Sequence, residues 1–331
     1  MSTENSKLSY AIIGTGAIGG YYGSRLAQSG CPVHFLLRSD YAHVKDNRLR
    51  VESVDGDFSL AQVNAYQRAA DIPPVDVVIV ALKTTHNPLL NQLLPQIKPS
   101  GAILSLQNGF GVEAKILQQL EENNFTVPNV LGGLCFICSN KVGPGHFRHL
   151  DYGRILLGAH QKSQQKVSPT PLMKRIVDDF QNARIEIDTT DDLPMARWQK
   201  LVWNVPYNGL SVVLDATTEE MMANSGVRSL ITTLMQEVVT AANTWGEQTS
   251  PDTDRKIPDD VITKMLAHTE TMAPYRTSMK LDFDRGQPLE IEAILERPIS
   301  IAHKFNLPTP AMTMLHQQIT FLNARQQDMT Q

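Results

Sequence analysis

Three glycines near the start of the chain, Gly14, Gly16 and Gly19, constrain its first half more tightly than any other residues. They lie in the stretch Leu8–Arg25, which reads as strand, tight turn and helix. An apolar run ends at Gly14, and Ile18, Tyr22 and Leu26 then recur with helical spacing. In such a turn the first glycine permits a sharp reversal, the second lets the backbone approach a pyrophosphate, and the third lets helix pack close to strand. The helix start also offers free N–H groups and the positive end of its dipole to an anion. The spacing alone would fit an ordinary glycine-rich loop; the flanking strand and helix favour a dinucleotide site. Gly14, Gly16, Ala17, Ile18 and Gly19 are the candidate cofactor contacts.

A chain of 331 residues exceeds the size at which one core keeps growing, so two domains are expected. The net charge of −4, with signs mixed, gives neither a basic footprint for nucleic acid nor a polybasic membrane patch. The partner expected is a small molecule. Met1–Ser9 is polar and lacks the apolar centre of a signal peptide, and no run approaches a membrane span of about 20 apolar residues. A cytoplasmic protein is the expectation. Three cysteines argue against a disulfide framework. Cys135 and Cys138 form a CxxC without a second pair, on a segment that reads as a strand, where positions three apart face opposite ways. The same geometry separates His146 from His149, so no metal site is expected.

The second strand, Val33–Leu37, ends at Arg38-Ser39-Asp40. An acidic residue about 20 positions past the glycines grips the ribose 2′-hydroxyl of NAD, whereas an Arg there accommodates the 2′-phosphate of NADP. Arg38 favours NADP; Asp40 is the competing ribose ligand, and a solvated surface Arg is the bland alternative. Alternating residues around Asp55-Gly56 predict a two-residue hairpin inserted in the domain. The run Val75–Leu82 reads as a strand buried in a parallel sheet and stops at Lys83; Ala102–Leu106 reads as another and stops before Gln107-Asn108-Gly109. In parallel sheets ligands bind beyond the carboxyl ends of the strands, so Lys83 and Asn108 are candidates, with helix capping as the alternative for each. Strands over 129–137, 146–150 and 155–157 predict an antiparallel extension. A helix over 171–182 and a strand over 184–187 follow, and 112–120 is also helical.

The polar stretch Asp188–Pro194 marks the expected boundary, dividing an α/β domain over residues 1–190 from an all-α domain over residues 191–331. Beyond it every longer segment has helical periodicity: about 194–213, 225–245, 258–270, 276–285, 288–304 and 310–325, the last starting with Thr309 as N-cap and Pro310 in the first helical position. In the first of these Lys200, Asn204 and Asn208 recur every four residues and stack along one helix face. A solvated face would more often use Glu, Lys or Gln. Two short amides in an apolar helix point instead to hydrogen bonding at an interface or cleft. Pro206 predicts a kink.

Together the chain resembles the ketopantoate reductases (2-dehydropantoate 2-reductases) over nearly its whole length. The resemblance rests on Gly14-x-Gly16-Ala17-x-Gly19, Arg38, Ala81-Leu82-Lys83, Gln107-Asn108-Gly109, Trp198-x-Lys200-Leu201-x-x-Asn204-x-x-x-Asn208, Ser278-Met279 and Leu289-Glu290-Ile291-Glu292-Ala293-Ile294. It implies a Rossmann-like NADP-binding domain followed by a helical domain, and reduction of an α-keto acid to an α-hydroxy acid with NADPH. Carried over by position, Lys200 looks like the general acid and Glu290 like the carboxylate that orients it. Asn204, Asn208 and Ser278 look like substrate ligands, and Lys83 and Asn108 like residues near nicotinamide and substrate. A lysine with an ordinary pKa of about 10.4 is protonated at neutral pH and needs no special tuning for that role. No metal is required. One position departs from the family: Thr218 stands where members commonly carry another Asn. The resemblance therefore leaves open a different small α-keto acid, and a non-catalytic NADP-binding sensor is the alternative of another class. A homodimer is compatible with the sequence, which does not decide assembly.

Overall fold

The computed structural model describes residues 7–126, 129–163, 165–251 and 254–330. The polar segment ahead of Lys7 lies outside them. The chain divides into two compact units: one runs to Gln107 and resumes over Val112–Leu193, and the other joins Asn108–Gly111 to Pro194 and all that follows.

In chain order the first unit contains β1 (Tyr10–Ile13), α1 (Ala17–Gln28), β2 (Val33–Leu36), α2 (Tyr41–Asn47), β3 (Leu49–Ser53), β4 (Phe58–Leu60), β5 (Asn64–Tyr66) and β6 (Val75–Val80). After these come α3 (Leu90–Leu93), β7 (Ile97–Ser105), α4 (Val112–Glu122), β8 (Val130–Gly143), β9 (His146–Ala159), α5 (Pro171–Asn182) and β10 (Ile187–Thr190). Among the described residues one ten-stranded sheet runs β4-β3-β9-β8-β7-β6-β1-β2-β5, with β10 beside β9. From β8 to β5 the pairings are parallel. The order β5-β2-β1-β6-β7-β8 is that of the dinucleotide-binding doubly wound fold, whose strand order reverses between β1 and β6. Register aligns the strand ends at that point: Ile13 lies opposite Leu36 on one side and Val80 on the other, and Val80 lies opposite Ser105. The central strands are apolar on both faces because helices cover both; Ile12, Val77, Ile79 and Leu104 are fully buried. Asp179 of α5 fastens the start of β1, accepting from the Leu8 N–H at 3.0 Å and the Tyr10 hydroxyl at 2.8 Å. Burial, reinforced by this carboxylate, pushes the Tyr10 hydroxyl far above its ordinary range.

Three expectations need correction here. The hairpin at Asp55-Gly56 pairs Val51 with Phe58 across a longer loop, and it is no detached insertion because β3 pairs in parallel with β9. The segments 146–150 and 155–157 are one strand, β9, bent by irregularities where Tyr152 and Gly153 take positive φ. The last strand lies at 187–190, not 184–187, because Arg184 also takes positive φ and the chain must turn before it can pair.

The second unit is helical: α6 (Leu193–Leu214), α7 (Thr218–Ala223), α8 (Ser225–Thr249), α9 (Val261–Thr271), α10 (Ser278–Asp284), a π-helical turn over Glu292–Glu296, α11 (Arg297–Lys304) and α12 (Pro310–Thr330). α6 is the hub. Trp198, Leu201, Val202, Val205, Tyr207 and Leu210 are buried around most of its circumference, as in a helix with neighbours on nearly every side. Pro206 lies inside it without an N–H for the Val202 carbonyl. Sequence periodicity missed α7, a single capped turn too short to show a repeat. The α12 start falls where expected, with Thr309 at the N-cap, its carbonyl accepting from the Thr313 N–H at 2.9 Å, but a second side chain completes the cap. Pro310 is the first helical residue, and the free N–H groups of Ala311 and Met312 donate to the Glu237 carboxylate of α8, at 2.9 and 2.8 Å.

Candidate active site

The glycine turn sits at the carboxyl end of β1. Gly14 has φ +97°, and a Cβ there would lie 2.5 Å from the Leu82 backbone nitrogen. A Cβ at Gly19 would lie 2.3 Å from the Gly14 carbonyl oxygen, so α1 can approach β1 only without it. Gly16 differs: a Cβ there would meet nothing within 4 Å. The protein itself therefore does not require glycine at position 16, which leaves room for a group approaching the backbone from outside. Ala17 and Ile18 follow as the first two residues of α1, half-buried, and the Thr15 hydroxyl ties the turn to the Leu36 carbonyl at 3.2 Å.

Arg38 is exposed two residues beyond β2 and has no side-chain partner among the described residues. Asp40 is committed elsewhere. Its carboxylate accepts from the Gly145 N–H at 2.9 Å and pairs with Lys141 at 2.7 Å, in the β8–β9 hairpin. Burial pushes its pKa up, but the Lys141 ammonium and the Gly145 N–H outweigh this and hold the carboxyl below its ordinary value. We expect Asp40→Asn to cost about 2 kcal/mol at pH 7, the value of a charge-assisted hydrogen bond lost from a buried acceptor. A depressed folded-state pKa gives stability that is complete above the ordinary aspartate value of about 3.9 and is lost as pH falls through the depressed value. Urea melts of the two proteins should therefore converge as the solution is acidified below about pH 4. A gap that stays constant in acid would contradict this account of Asp40.

Lys83, half-buried, precedes a 3-10 turn over Thr84–Leu89. Its loop is held by Gln107, whose amide donates to the Leu82 carbonyl at 2.8 Å and to Asn87 Oδ1 at 2.6 Å. Sequence reading missed this buried clamp, since only topology brings Gln107 and Asn87 together. His149 is buried and structural: its ring bonds Ser53 Oγ at 2.9 Å and the Tyr152 carbonyl at 2.8 Å. Cys135 and Cys138 are buried and form no disulfide. No group of three or more His, Cys, Asp or Glu side chains suited to a metal, and no helix long and apolar enough to cross a membrane, occurs among the described residues.

In the second unit the structure brings Asn108 and Lys200 together: the Lys200 ammonium donates to Asn108 Oδ1 at 2.8 Å. Asn108 is positioned by the two residues after it. Gly109 has φ +101° and packs so closely that a Cβ would sit 2.5 Å from the Ala293 Cβ. The Phe110 N–H donates to the Ala293 carbonyl at 3.0 Å, and its ring packs on Trp198 at 4.7 Å, two residues before Lys200. Ala293 lies in the π-helical turn that directly follows Glu290 and Ile291, an irregularity common at functional sites. Glu290 is itself buried.

Asn204 and Asn208 lie one and two turns beyond Lys200 on α6. They are 6% and 2% exposed, yet neither amide finds a side-chain hydrogen bond among the described residues. Ser278 is half-buried at the first position of α10. Thr218 is buried against the backbone: its N–H donates to the Tyr275 carbonyl at 3.1 Å, and its hydroxyl accepts from the Tyr275 N–H at 3.2 Å.

Residues 10–162 match the family model described as Ketopantoate reductase PanE/ApbA, and residues 192–323 match Ketopantoate reductase PanE/ApbA C terminal. The chain belongs to the ketopantoate reductase family. Membership makes it an oxidoreductase, and it also accounts for the pairing of a dinucleotide-type sheet with a helical unit. The 2-dehydropantoate 2-reductase of Nostoc sp. is 50% identical over 317 residues, covering 96% of this chain and 95% of the relative. A crystal structure of 2-dehydropantoate 2-reductase from Geobacter metallireducens is 37% identical with TM-score 0.85, covering 95% of this chain and 99% of that one. A D-mandelate dehydrogenase crystallised with NADH and anilino(oxo)acetate shares the ketopantoate reductase fold at 20% identity and TM-score 0.82, covering 96% of this chain and 99% of that one.

Proposed function

We propose that this protein reduces ketopantoate (2-dehydropantoate) to pantoate with NADPH, in the cytoplasm. The observation that carries the substrate is the 50% identity to the Nostoc 2-dehydropantoate 2-reductase, spread over 96% of the chain. The domains in this reading are a cofactor domain over residues 1–190 and a helical substrate domain over residues 191–331.

For the cofactor, the opening at Gly16 and the start of α1 at Ala17 and Ile18 suit the pyrophosphate. Exposed Arg38 suits a ribose 2′-phosphate, and Asp40, bound by Lys141 and Gly145, is not free to hold a 2′-hydroxyl. Lys83, beyond β6, takes the nicotinamide end. NADPH, when bound, supplies the hydride.

The chain's own part is charge and orientation. Reduction builds negative charge on the ketone oxygen; the Lys200 ammonium stabilises that charge and transfers a proton from Nζ to the oxygen. Asn108 Oδ1 holds the ammonium by its 2.8 Å hydrogen bond and limits the directions in which it can point. The Glu290 carboxylate orients the same lysine and the substrate. Asn204 and Asn208, buried without side-chain partners among the described residues, donate to the substrate's hydroxyl or carboxylate, as does Ser278.

Thr218 favours one further reading. Its hydroxyl accepts from the Tyr275 N–H and it has no amide to offer where the family resemblance places one, so a different small α-keto acid is the second candidate. The test is NADPH consumption over a panel of α-keto acids, compared by kcat/KM. We expect ketopantoate to lead, and another acid leading by tenfold or more would transfer the assignment to it. In the same assay Arg38→Ala should raise the KM for NADPH about tenfold and leave that for NADH nearly unchanged, since one charge-assisted contact to phosphate is lost. Equal effects on both cofactors would refute the role of Arg38.

A further inference from the structure

The polar line on α6 does not end at Asn208. Ser211 continues it one turn on, and Ser211 Oγ lies 2.7 Å from Thr277 Oγ1, both residues being 0% exposed. Thr277 is the N-cap of α10, so it immediately precedes Ser278.

The protons in this pair can be placed by satisfying every partner. Thr277 Oγ1 accepts from the Lys280 N–H at 3.3 Å, as an N-cap does. The hydroxyl of Ser211 donates to the Asn208 carbonyl at 3.0 Å. That leaves the Thr277 proton to go to Ser211 Oγ. The bonds then form a directed chain, Thr277 to Ser211 to the backbone of Asn208. The reverse orientation would leave the Asn208 bond unmade and the Thr277 proton without an acceptor, a costly state in a dry site.

We propose that Ser211 and Thr277 are positioning residues for the keto acid, fixing the start of α10, and with it Ser278, against the turn of α6 that carries Asn208. This rests on the reading of Asn208 and Ser278 as substrate ligands. Other ties reach the same segment without doing this job. Thr218 holds Tyr275 through backbone, two residues before Thr277. Lys280 pairs with Asp215 at 2.6 Å, but Asp215 is largely exposed and water screens the pair. The hydroxyl pair joins the residue beside Ser278 directly to the α6 turn that carries Asn208, at 2.7 Å and between two buried residues. A displacement of a ligand by about 1 Å is enough to cost catalysis heavily, so a short, dry and directional bond matters more at this point than its modest contribution to folding.

The experiment is steady-state kinetics on the full-length protein with ketopantoate and NADPH, for Thr277→Val, Thr277→Ser and Ser211→Ala. Thr277→Val keeps the shape and removes the hydroxyl; Thr277→Ser keeps the hydroxyl. We expect Thr277→Val and Ser211→Ala to raise the KM for ketopantoate about tenfold, the scale of one lost hydrogen bond in a buried site. Thr277→Ser should restore it, and the Kd for NADPH, measured by fluorescence titration, should stay within twofold of wild type. An unchanged KM in Thr277→Val, or equal impairment of Thr277→Ser, overturns the proposal while leaving the function intact. Should Thr277→Val fail to fold, Ser211→Ala with Thr277→Ser decides by the same criteria. A wild-type protein that reduces no keto acid would overturn the functional reading, and this proposal with it.

Discussion

Replacing Lys200 by alanine is expected to lower kcat for ketopantoate about 10²- to 10⁴-fold, the range over which a positioned general acid contributes to proton transfer. The lysine supplies two things at once, a cation beside the developing oxyanion and the proton that neutralises it, and alanine supplies neither. Its hydrogen bond to Asn108 orients the ammonium, so Asn108→Ala should follow in the same direction with a smaller loss. NADPH affinity is a built-in control. The glycine turn and Arg38 lie in the other unit, so the Kd for NADPH should change less than about threefold, below 1 kcal/mol. Turnover within threefold of wild type would remove Lys200 from the role of acid. A parallel collapse of NADPH binding would point to general damage instead.

The second large effect contrasts two glycines three positions apart. At Gly19 a Cβ would lie 2.3 Å from the Gly14 carbonyl oxygen, backbone that cannot move without shifting β1 or α1. Gly19→Ala should therefore destabilise by about 1–3 kcal/mol or more, the scale of overpacking in a tight core, or fail to fold. At Gly16 a Cβ meets nothing within 4 Å, so Gly16→Ala should leave stability within about 0.5 kcal/mol of wild type, as substitutions away from packed features do. Its cost should fall on the cofactor, because the added methyl occupies space the pyrophosphate needs, and we expect NADPH to bind at least tenfold more weakly. Thermal melts and NADPH titrations of both variants separate the two roles. Destabilised Gly16→Ala, or Gly16→Ala with normal NADPH affinity, would contradict this reading of the turn.

The elements with strong local signals were legible from residues alone. The glycine turn follows from its spacing together with the strand and helix that flank it, and the buried strand β6 follows from a nearly continuous apolar run. α5 lies over the expected residues 171–182, and the structure adds its cap, the Thr170 hydroxyl accepting from the Met173 N–H at 3.2 Å. The stripe of Lys200, Asn204 and Asn208 was legible because polar residues at four-residue spacing stand out in an apolar helix. What was not legible depends on contacts between distant segments. Ser211 looked like an ordinary small residue until the fold placed Thr277, 66 positions later, 2.7 Å away. Asp40 and Arg38 compete on paper for the same ribose; only the β8–β9 hairpin, more than 100 residues downstream, shows that Asp40 is already bound. Thr309 stands at the N-cap as its residue type suggested, yet the free N–H groups of Ala311 and Met312 go to Glu237, because a carboxylate from α8 reaches them with full charge. Local chemistry selects candidates, and topology decides among them.

The central claim is that this chain reduces the ketone of ketopantoate with hydride from NADPH. The most direct measurement incubates the purified protein with ketopantoate and NADPH deuterated at the transferred position of C4, followed by mass spectrometry of the product. The account predicts pantoate carrying one deuterium on the former ketone carbon. Product without deuterium, or no product formed in the presence of NADPH, would contradict it.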